Sequence, residues 1–99
     1  MAILKSKATV NYKRNENKTL LEAIEYIGQT YSQHYVGLTE IQTIDVWESL
    51  GTLETTSRDT AIKYLMRYGK KKGKNKADLL KAIHYITLMI YSLEKENSK

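Results

Sequence analysis

Apolar residues recur every three or four positions along most of this chain, which is the spacing of one face of an α-helix. Residues 1–18 are largely polar and aperiodic, and they predict an N-terminal arm with one short extended segment around Ala8–Tyr12. The first helix is predicted to begin at Thr19, where Glu22 completes a capping-box pattern. The helix should fade over residues 31–35.

Two further helices follow, each with its own start and stop signals. A second capping-box pattern at Thr39–Gln42 predicts a short helix that closes at Gly51. The polar run Thr55–Ser57, together with Asp59, predicts the start of a third helix. Gly69 is placed where a glycine commonly ends a helix.

The fourth helix is predicted to be the longest. Asn75 and Asp78 are both suited to cap its start. Its apolar positions have the spacing of one helix face: Leu79, Ala82, Ile83, Ile86, Met89, Ile90 and Leu93. The charged tail from Glu94 onward is expected to fray.

Four helices without strand-like alternation predict an all-α fold, a small bundle of about four helices with a basic loop between the last two. We assign residues 1–18 to a short N-terminal arm, 19–95 to a single helical domain and 96–99 to a frayed tail. The last apolar stripe reaches Leu93, farther than three shorter helices can cover. We therefore expect a homo-oligomer, most simply a dimer.

Composition narrows the chemistry. The 99 residues contain no cysteine and two histidines, which excludes disulfides, cysteine nucleophiles and thiolate zinc sites and argues against a histidine-rich metal site. No apolar run approaches the length that spans a membrane, and the first ten residues do not have the pattern of a signal peptide. We expect the cytoplasm of a bacterium or of an infected bacterial host, with no membrane partner and no cofactor.

Positive charge is concentrated between the third and fourth helices. Seven of the sixteen lysines and arginines lie within fourteen positions that contain no acid: Lys63, Arg67, Lys70, Lys71, Lys72, Lys74 and Lys76. Cations that converge without acid partners repel one another, so a fold that keeps them often has an anion to bind there. Phosphate is the commonest such anion in a cell, and the segment predicts a phosphate-bearing partner.

The basic residues are predicted to have two different roles in phosphate binding. Lys63 and Arg67 share one helix face and should hold phosphate, and the arginine can do so with two parallel hydrogen bonds. Lys70 and Lys71 should add long-range attraction from the loop. Helix capping is the competing explanation, because cations in a last turn also satisfy free carbonyls. Capping accounts for Arg67 and Lys70 but not for the four further lysines up to residue 76.

Other residues are predicted to complete the site. Tyr64 or Tyr68 should stack on a base or close the pocket wall. Asp45, on an otherwise apolar helix, should be partnered, either as a cap or in an ion pair that orients Lys63 or Arg67. The pair His34–Tyr35 should line the far side of the pocket.

Patterns for other chemistry are weak. The glycines at 69 and 73 do not form a phosphate-binding P-loop, because the required spacing and the preceding strand are missing. Glu22 and Glu25 lie three residues apart and could share Mg²⁺ only with further acids, so they are more typical of a solvated helix face. A metal would be needed only if the chain were an enzyme, and we leave that open while favouring a non-catalytic protein.

Several short motifs resemble one protein family. They are His34-Tyr35, Glu40, Ile44-Asp45-Val46, Ala61-Ile62-Lys63-Tyr64, Arg67, Gly69-Lys70-Lys71, Asp78-Leu79, Lys81-Ala82 and Tyr85. Over about residues 33–90 the chain resembles the DUF3310, or SaV-like, domain of bacteriophage proteins. It departs from the family pattern at 50–59, which is longer and lacks the usual Gly-Asn, and residues 1–32 lie outside the pattern.

The resemblance implies a phage origin and a link to nucleotide metabolism, because such domains are often called nucleotide kinases although they lack a Walker motif. A kinase needs two nucleotide sites and Mg²⁺, which a chain of this size could provide only between subunits. We therefore expect first a protein that binds a nucleotide or nucleotide-derived signal without catalysis, for instance to sequester a signal used in host antiviral defence. A nucleotide kinase or hydrolase with intersubunit sites is the second alternative, and a DNA- or RNA-binding accessory protein is the third.

Overall fold

The computed structural model describes residues 10–34 and 42–98, which form four α-helices and no strand. In chain order the helices are α1 (Glu16–His34), α2 (Thr43–Leu50), α3 (Leu53–Arg67) and α4 (Lys76–Asn97). The predicted all-α fold is confirmed, as is the basic loop between the last two helices. None of these helices is long and apolar enough to cross a membrane.

Helix α1 begins at Glu16, so the predicted start at Thr19 is wrong. Asn15 adopts a left-handed backbone conformation with φ of 60°, which asparagine tolerates better than most residues. Its carbonyl accepts the Thr19 N–H at 2.9 Å, so the backbone at Thr19 is already inside the helix and its side chain cannot cap the start. The early acid Glu16 suits the positive end of the helix dipole.

Helix α2 is closed at both ends by local contacts. Its first residue is Thr43, and the Gln42 N–H donates to Oδ2 of Asp45 at 2.9 Å, which caps the start. The capping box predicted from Thr39 is therefore replaced by one from Gln42, and residues 39–41 lie outside the described part of the chain. At the other end Gly51 has φ of 79°, the left-handed conformation that glycine adopts without strain, as predicted.

Helix α3 begins at Leu53, two residues before the predicted start at Thr55. Leu53 is buried, so packing places this residue inside the helix although the polar run comes later. Ser57, which we predicted to lie at the start, sits within the helix and is completely buried. At its C-terminal end Gly69 follows the capping residue and has φ of 85°, as predicted.

Of the two residues predicted to cap the start of α4, one does so and the other does not. Asn75 caps the helix, because its side-chain oxygen accepts the Ala77 N–H at 2.7 Å. Asp78 does not cap it: this residue is 4% exposed, and its Oδ2 has no hydrogen-bond partner in the described part of the chain. Helix α4 continues past Glu94 to Asn97, so it includes the first residues of the charged tail that we expect to fray.

Helices α3 and α4 form the centre of the molecule as a helical hairpin, and α1 packs on α4 while α2 packs on α3. Among the residues whose burial the structure describes, five apolar side chains are buried, and three of them are alanines: Ala23, Leu53, Ala61, Leu80 and Ala82. Small side chains allow helices to approach closely but bury little apolar surface. The four helices therefore leave the face between them open enough for a pocket.

Ser57 carries a buried hydroxyl with no partner in the described part of the chain, and this predicts an unusual stability effect. Replacing Ser57 with alanine removes an unsatisfied polar atom without adding volume, so we expect the free energy of unfolding to rise by about 1–2 kcal/mol. Thermal unfolding followed by circular dichroism should show a higher Tm.

Ser49→Ala is the matched control, because Ser49 is exposed on α2 and shares only the gain in helix propensity of about 0.5 kcal/mol. A Tm increase for Ser57→Ala no larger than that of the control would show that the hydroxyl is satisfied in solution.

Candidate ligand-binding site

A pocket of about 600 Å³ lies among the four helices, and each of them contributes to its wall. Its lining combines aromatic, hydroxyl, amide and cationic side chains: Tyr26, Thr30, Gln42, Thr43, Ile44, Trp47, Thr60, Lys63, Tyr64, Lys81, His84 and Tyr85. A volume of this size accommodates a ligand of several hundred daltons.

The aromatic rings form a row along the pocket. Trp47 on α2 lies with its ring centroid 6.3 Å from that of Tyr85 on α4, and Tyr85 lies 6.1 Å from Tyr64 on α3. The two tyrosine rings are nearly parallel, with an angle of 16° between their planes. His84 is buried and stacks on Tyr85 at 5.3 Å, which holds that ring from the side. The row offers a planar ligand several faces on which to stack.

Three cations surround the ring at one end of this row. Lys63 Nζ lies 4.8 Å from the Tyr64 ring centroid, Arg67 Cζ lies 5.1 Å from it, and Lys81 Nζ lies 5.1 Å from it. The negative face of an aromatic ring attracts cations, so Tyr64 helps to gather these three charges. The pocket thus has an aromatic end and a strongly positive end.

Two threonines on the wall have their hydroxyl protons directed to their own helices. The Thr30 hydroxyl donates to the Ile27 carbonyl at 2.7 Å, and the Thr60 hydroxyl donates to the Thr56 carbonyl at 2.7 Å. Their oxygens therefore have lone pairs left to accept hydrogen bonds from a ligand. Such acceptors suit the amino or hydroxyl groups of a base or sugar.

Two tyrosines on the wall, Tyr26 and Tyr85, have a raised pKa. Burial raises the pKa of Tyr85, and the neighbouring phenols Tyr64 and Tyr26 raise it further. Burial also raises the pKa of Tyr26, with smaller contributions from Tyr64 and Asp78. At neutral pH both hydroxyls therefore remain neutral and can donate a hydrogen bond to a ligand oxygen.

Helix α2, which carries Trp47, is fastened to α4 by one polar cluster. Glu48 Oε2 accepts the Tyr91 hydroxyl at 2.6 Å and Lys95 Nζ at 2.8 Å. These hydrogen bonds, that from Lys95 first, lower the pKa of the Glu48 carboxyl, and the same contact with Glu48 raises the pKa of Lys95. The cluster joins the helix that carries Trp47 to the helix that carries Tyr85.

Glu48→Gln should weaken the contact between α2 and α4 and lower Tm, and the decrease should depend on pH. The folded-state pKa of Glu48 is lowered, so its stabilising effect is present above the unfolded-state value near 4.5 and is lost as the pH falls through the lower folded value. Because the cluster is exposed, we expect Tm to fall by only about 1–4 °C at pH 7.

Tm measured against pH for wild type, Glu48→Gln and the exposed control Glu94→Gln tests this expectation. The deficit of Glu48→Gln should shrink below about pH 4.5, whereas a deficit that is constant from pH 7 to pH 3 would contradict a role for the carboxylate charge.

The family comparison bears on this arrangement because it covers most of the pocket. The model of a protein family of unknown function, DUF3310, matches residues 27–87, which is more than half of the chain. The chain belongs to the DUF3310 family. No curated protein and no solved structure matches it. The resemblance inferred from the sequence motifs is confirmed, and the matched DUF3310 segment contains all of the pocket lining except Tyr26.

Within the DUF3310 segment, the structure brings together three of the predicted site residues. Lys63 and Tyr64 line the pocket, and Arg67 reaches the same tyrosine ring from the next turn of α3. Between the two alternatives for base stacking, Tyr64 lies on the wall, and Tyr68 is the half-buried capping residue of α3 and does not line the pocket.

Three other predicted site residues, Lys70, Lys71 and Asp45, lie outside the pocket lining. Lys70 and Lys71 are exposed in the loop after α3, where their N–H groups bond the Arg67 carbonyl at 2.9 and 3.4 Å. Asp45 caps α2, which was one of its two predicted roles, and in the described part of the chain no ion pair joins it to Lys63 or Arg67. The side chains of His34 and Tyr35 lie outside the described residues.

Several wall residues of this DUF3310 chain were not predicted as site residues, above all Lys81, Trp47, Tyr85 and Tyr26. Lys81 and Tyr85 are four residues apart and therefore share a face of α4, which is a signal that the sequence did contain. Nothing in the sequence places Trp47 or Tyr26 beside them, because that proximity depends on how separate helices pack.

Proposed function

We propose that this DUF3310 protein binds a phosphate-bearing nucleotide, or a signal derived from one, without catalysing its conversion. The observation that carries the proposal is an aromatic row on the pocket wall, Trp47, Tyr85 and Tyr64, with three cations against the ring of Tyr64. Two of these cations, Lys63 and Lys81, line the pocket, and Arg67 contacts the same ring from the next turn of α3. A nucleotide has the matching parts: a planar base that stacks on aromatic rings and phosphates that attract lysine and arginine. Sequestration of such a signal during phage infection is the biological use that we propose.

The described lining supports binding in preference to chemistry. It consists of stacking surfaces, hydrogen-bond acceptors and donors, and cations. These are the groups that a protein needs to hold and orient a phosphate ester. A phosphoryl-transfer enzyme would in addition need Mg²⁺ and a second substrate placed in line with the first. Turnover is therefore the measurement that separates the first proposal from the second.

The test is a thermal-shift screen against mono-, di-, tri- and cyclic nucleotides and ADP-ribose-type compounds. We expect at least one of them to raise Tm, because a ligand that binds only the folded state stabilises it in proportion to its saturation. Mass spectrometry of the ligand recovered from the protein should return it unchanged. Loss of a phosphate, or transfer of one, would establish the enzyme alternative.

A long nucleic acid is the remaining alternative, favoured only by the exposed lysines of the loop after α3. Its binding should weaken steeply with salt, with a slope of about one unit per phosphate contacted, whereas a mononucleotide should give a shallow slope. Tight, steeply salt-dependent binding of oligonucleotides, with no small nucleotide raising Tm, would replace our proposal with this one.

We also propose that the protein assembles as a homo-oligomer, most simply a dimer. On α4 the side chains of Ile86, Ile90 and Leu93 are 43–51% exposed and share one face. Within residues 10–31 and 42–98, five apolar side chains are buried. A second copy of the chain would cover this face. We expect light scattering at high micromolar concentration to give a mass of at least two chains.

Ile90→Glu should convert that oligomer to a monomer, because it places a charge in the middle of the α4 face. Leu50→Glu is the matched control: Leu50 is 70% exposed on α2, so the same charge there should leave the oligomer intact. A wild-type protein that is monomeric under these conditions would contradict the proposal.

A further inference from the structure

Three cations lie against the Tyr64 ring, and two of them, Lys63 and Lys81, also line the pocket, whereas Arg67 contacts only that ring. Lys63 and Arg67 reach it from α3 and Lys81 reaches it from α4, and each charge centre lies within 5.1 Å of the Tyr64 ring centroid. Any two of the charges are consequently within about 10 Å of each other, a separation at which like charges on a protein surface still repel. This arrangement brings three positive charges close to a single ring.

None of these three charges takes part in a salt bridge within the described part of the chain. The salt bridges there join Lys76 to Glu22 at 3.2 Å and Lys95 to Glu48 at 2.8 Å, and neither involves Lys63, Arg67 or Lys81. The Tyr64 ring attracts the cations through its quadrupole but has no net charge. A ligand that cancels the repulsion must therefore supply about three negative charges at one end of the pocket.

Counting charges distinguishes the classes of phosphate ligand. A phosphate monoester carries about −1.5 to −2 at pH 7, and each phosphodiester carries about −1. A cyclic mononucleotide or a single phosphate monoester thus leaves at least one cation without a counter-charge. A diphosphate, with one terminal and one bridging group, carries about −3, and this matches the three cations.

The order of groups along the pocket supports the same ligand. The row runs from Trp47 through Tyr85 to Tyr64 in steps of 6.3 and 6.1 Å, and the cations lie at the Tyr64 end. A base that stacks beside Tyr85 would direct its 5′ phosphates toward the cations, and the exposed lysines of the following loop lie beyond the end of α3. Additional phosphates would therefore meet further positive charge.

We infer that the pocket selects nucleoside 5′-diphosphates and triphosphates over monophosphates and cyclic nucleotides. The inference rests on the proposed function and specifies its ligand class by the number of consecutive phosphate groups. Lys81 becomes the residue that determines this preference, because it adds the third charge from a different helix.

The experiment compares ligands that share a base and differ in phosphate number. Isothermal titration calorimetry with adenosine mono-, di- and triphosphate, cyclic AMP and inorganic pyrophosphate, repeated for the guanine, cytosine and uracil series, gives each affinity without added metal. For the preferred base we expect the diphosphate to bind at least tenfold more tightly than the monophosphate, and the triphosphate to bind at least as tightly as the diphosphate.

Lys81→Met tests the assigned residue, because methionine keeps much of the lysine stem and removes the charge. It should weaken diphosphate binding about tenfold and monophosphate binding less than threefold. The ratio of diphosphate affinity to monophosphate affinity should therefore fall. Lys74→Met, in the exposed loop, is the matched control and should leave that ratio unchanged. A fold intact by circular dichroism is required of both variants.

The outcomes distinguish a failure of the phosphate-number preference from a failure of nucleotide binding itself. Equal affinities for mono- and diphosphates of one base, or tightest binding of a cyclic nucleotide, would overturn the phosphate-number inference and leave nucleotide binding in place. Binding of pyrophosphate but of no nucleotide would overturn the proposed function and leave the three-cation site. If the Lys81→Met variant has the same ratio of diphosphate affinity to monophosphate affinity as the wild type, Lys81 does not determine the preference.

Discussion

Arg67→Ala is expected to lower the affinity for the bound nucleotide about 10- to 100-fold while the helices remain folded. Arg67 is half-buried, and its guanidinium carbon lies 5.1 Å from the Tyr64 centroid at the positive end of the pocket. Hydrogen bonds from a guanidinium to phosphate are charge-assisted and contribute roughly 1.5–3 kcal/mol. Calorimetric titration of the variant with the best ligand of the nucleotide screen gives the change directly.

Lys74→Ala is the control for this loss, because it removes one exposed loop charge and should weaken binding less than threefold. Arg67→Lys should fall between the two, since it keeps the charge and loses the paired hydrogen bonds. If Arg67 serves only to cap the helix, its loss should affect stability and not affinity: Arg67→Ala would melt several degrees lower and bind the nucleotide like the wild type. That result would make the arginine structural and remove it from the site.

Ala82→Leu is expected to cause the largest loss of stability among the substitutions considered. Ala82 is 2% exposed on the central helix, so a leucine side chain there has no space without displacing a neighbouring helix. Overpacking of this kind costs about 1–3 kcal/mol, which corresponds to a Tm decrease of roughly 4–20 °C in a domain of this size.

Thermal unfolding of Ala82→Leu beside Ser49→Leu measures the effect. Ser49 is exposed on α2, so the same large side chain should change Tm there by only a few degrees. If Ala82→Leu unfolds within about 2 °C of the wild type, the helices pack less closely than their alanine contacts indicate.

The helices could be predicted from the sequence because their apolar spacing extends over many residues. The cap of α4 at Asn75 was also predicted, but the starts of α1 and α3 were not, because several residues compete for each cap. Asn15 precedes the first residue of α1 and has a left-handed backbone conformation, which no sequence pattern indicates. Leu53 is the first residue of α3, and its place in the helix follows from its burial in the core. Gly51 and Gly69 were placed correctly, since a glycine at the end of an apolar pattern has few alternatives.

The same limit applies to the candidate site. Lys63, Tyr64 and Arg67 are neighbours on one helix, so a local charge pattern was sufficient to find them. Lys81 and Trp47 join them only through the packing of α4 and α2, which single-sequence patterns do not specify. Asp45 shows how a local contact can satisfy a polar group, because the nearest donor was a backbone N–H three residues away.

The position of Trp47 gives the protein a built-in optical reporter. The sequence contains one tryptophan, and the structure places its half-buried ring on the pocket wall, 6.3 Å from Tyr85. Emission from an indole depends on the polarity and stacking of its surroundings, so a base that enters the pocket must alter the fluorescence of this one residue. Stopped-flow mixing can therefore follow ligand arrival and release in real time on the unlabelled, unmodified chain.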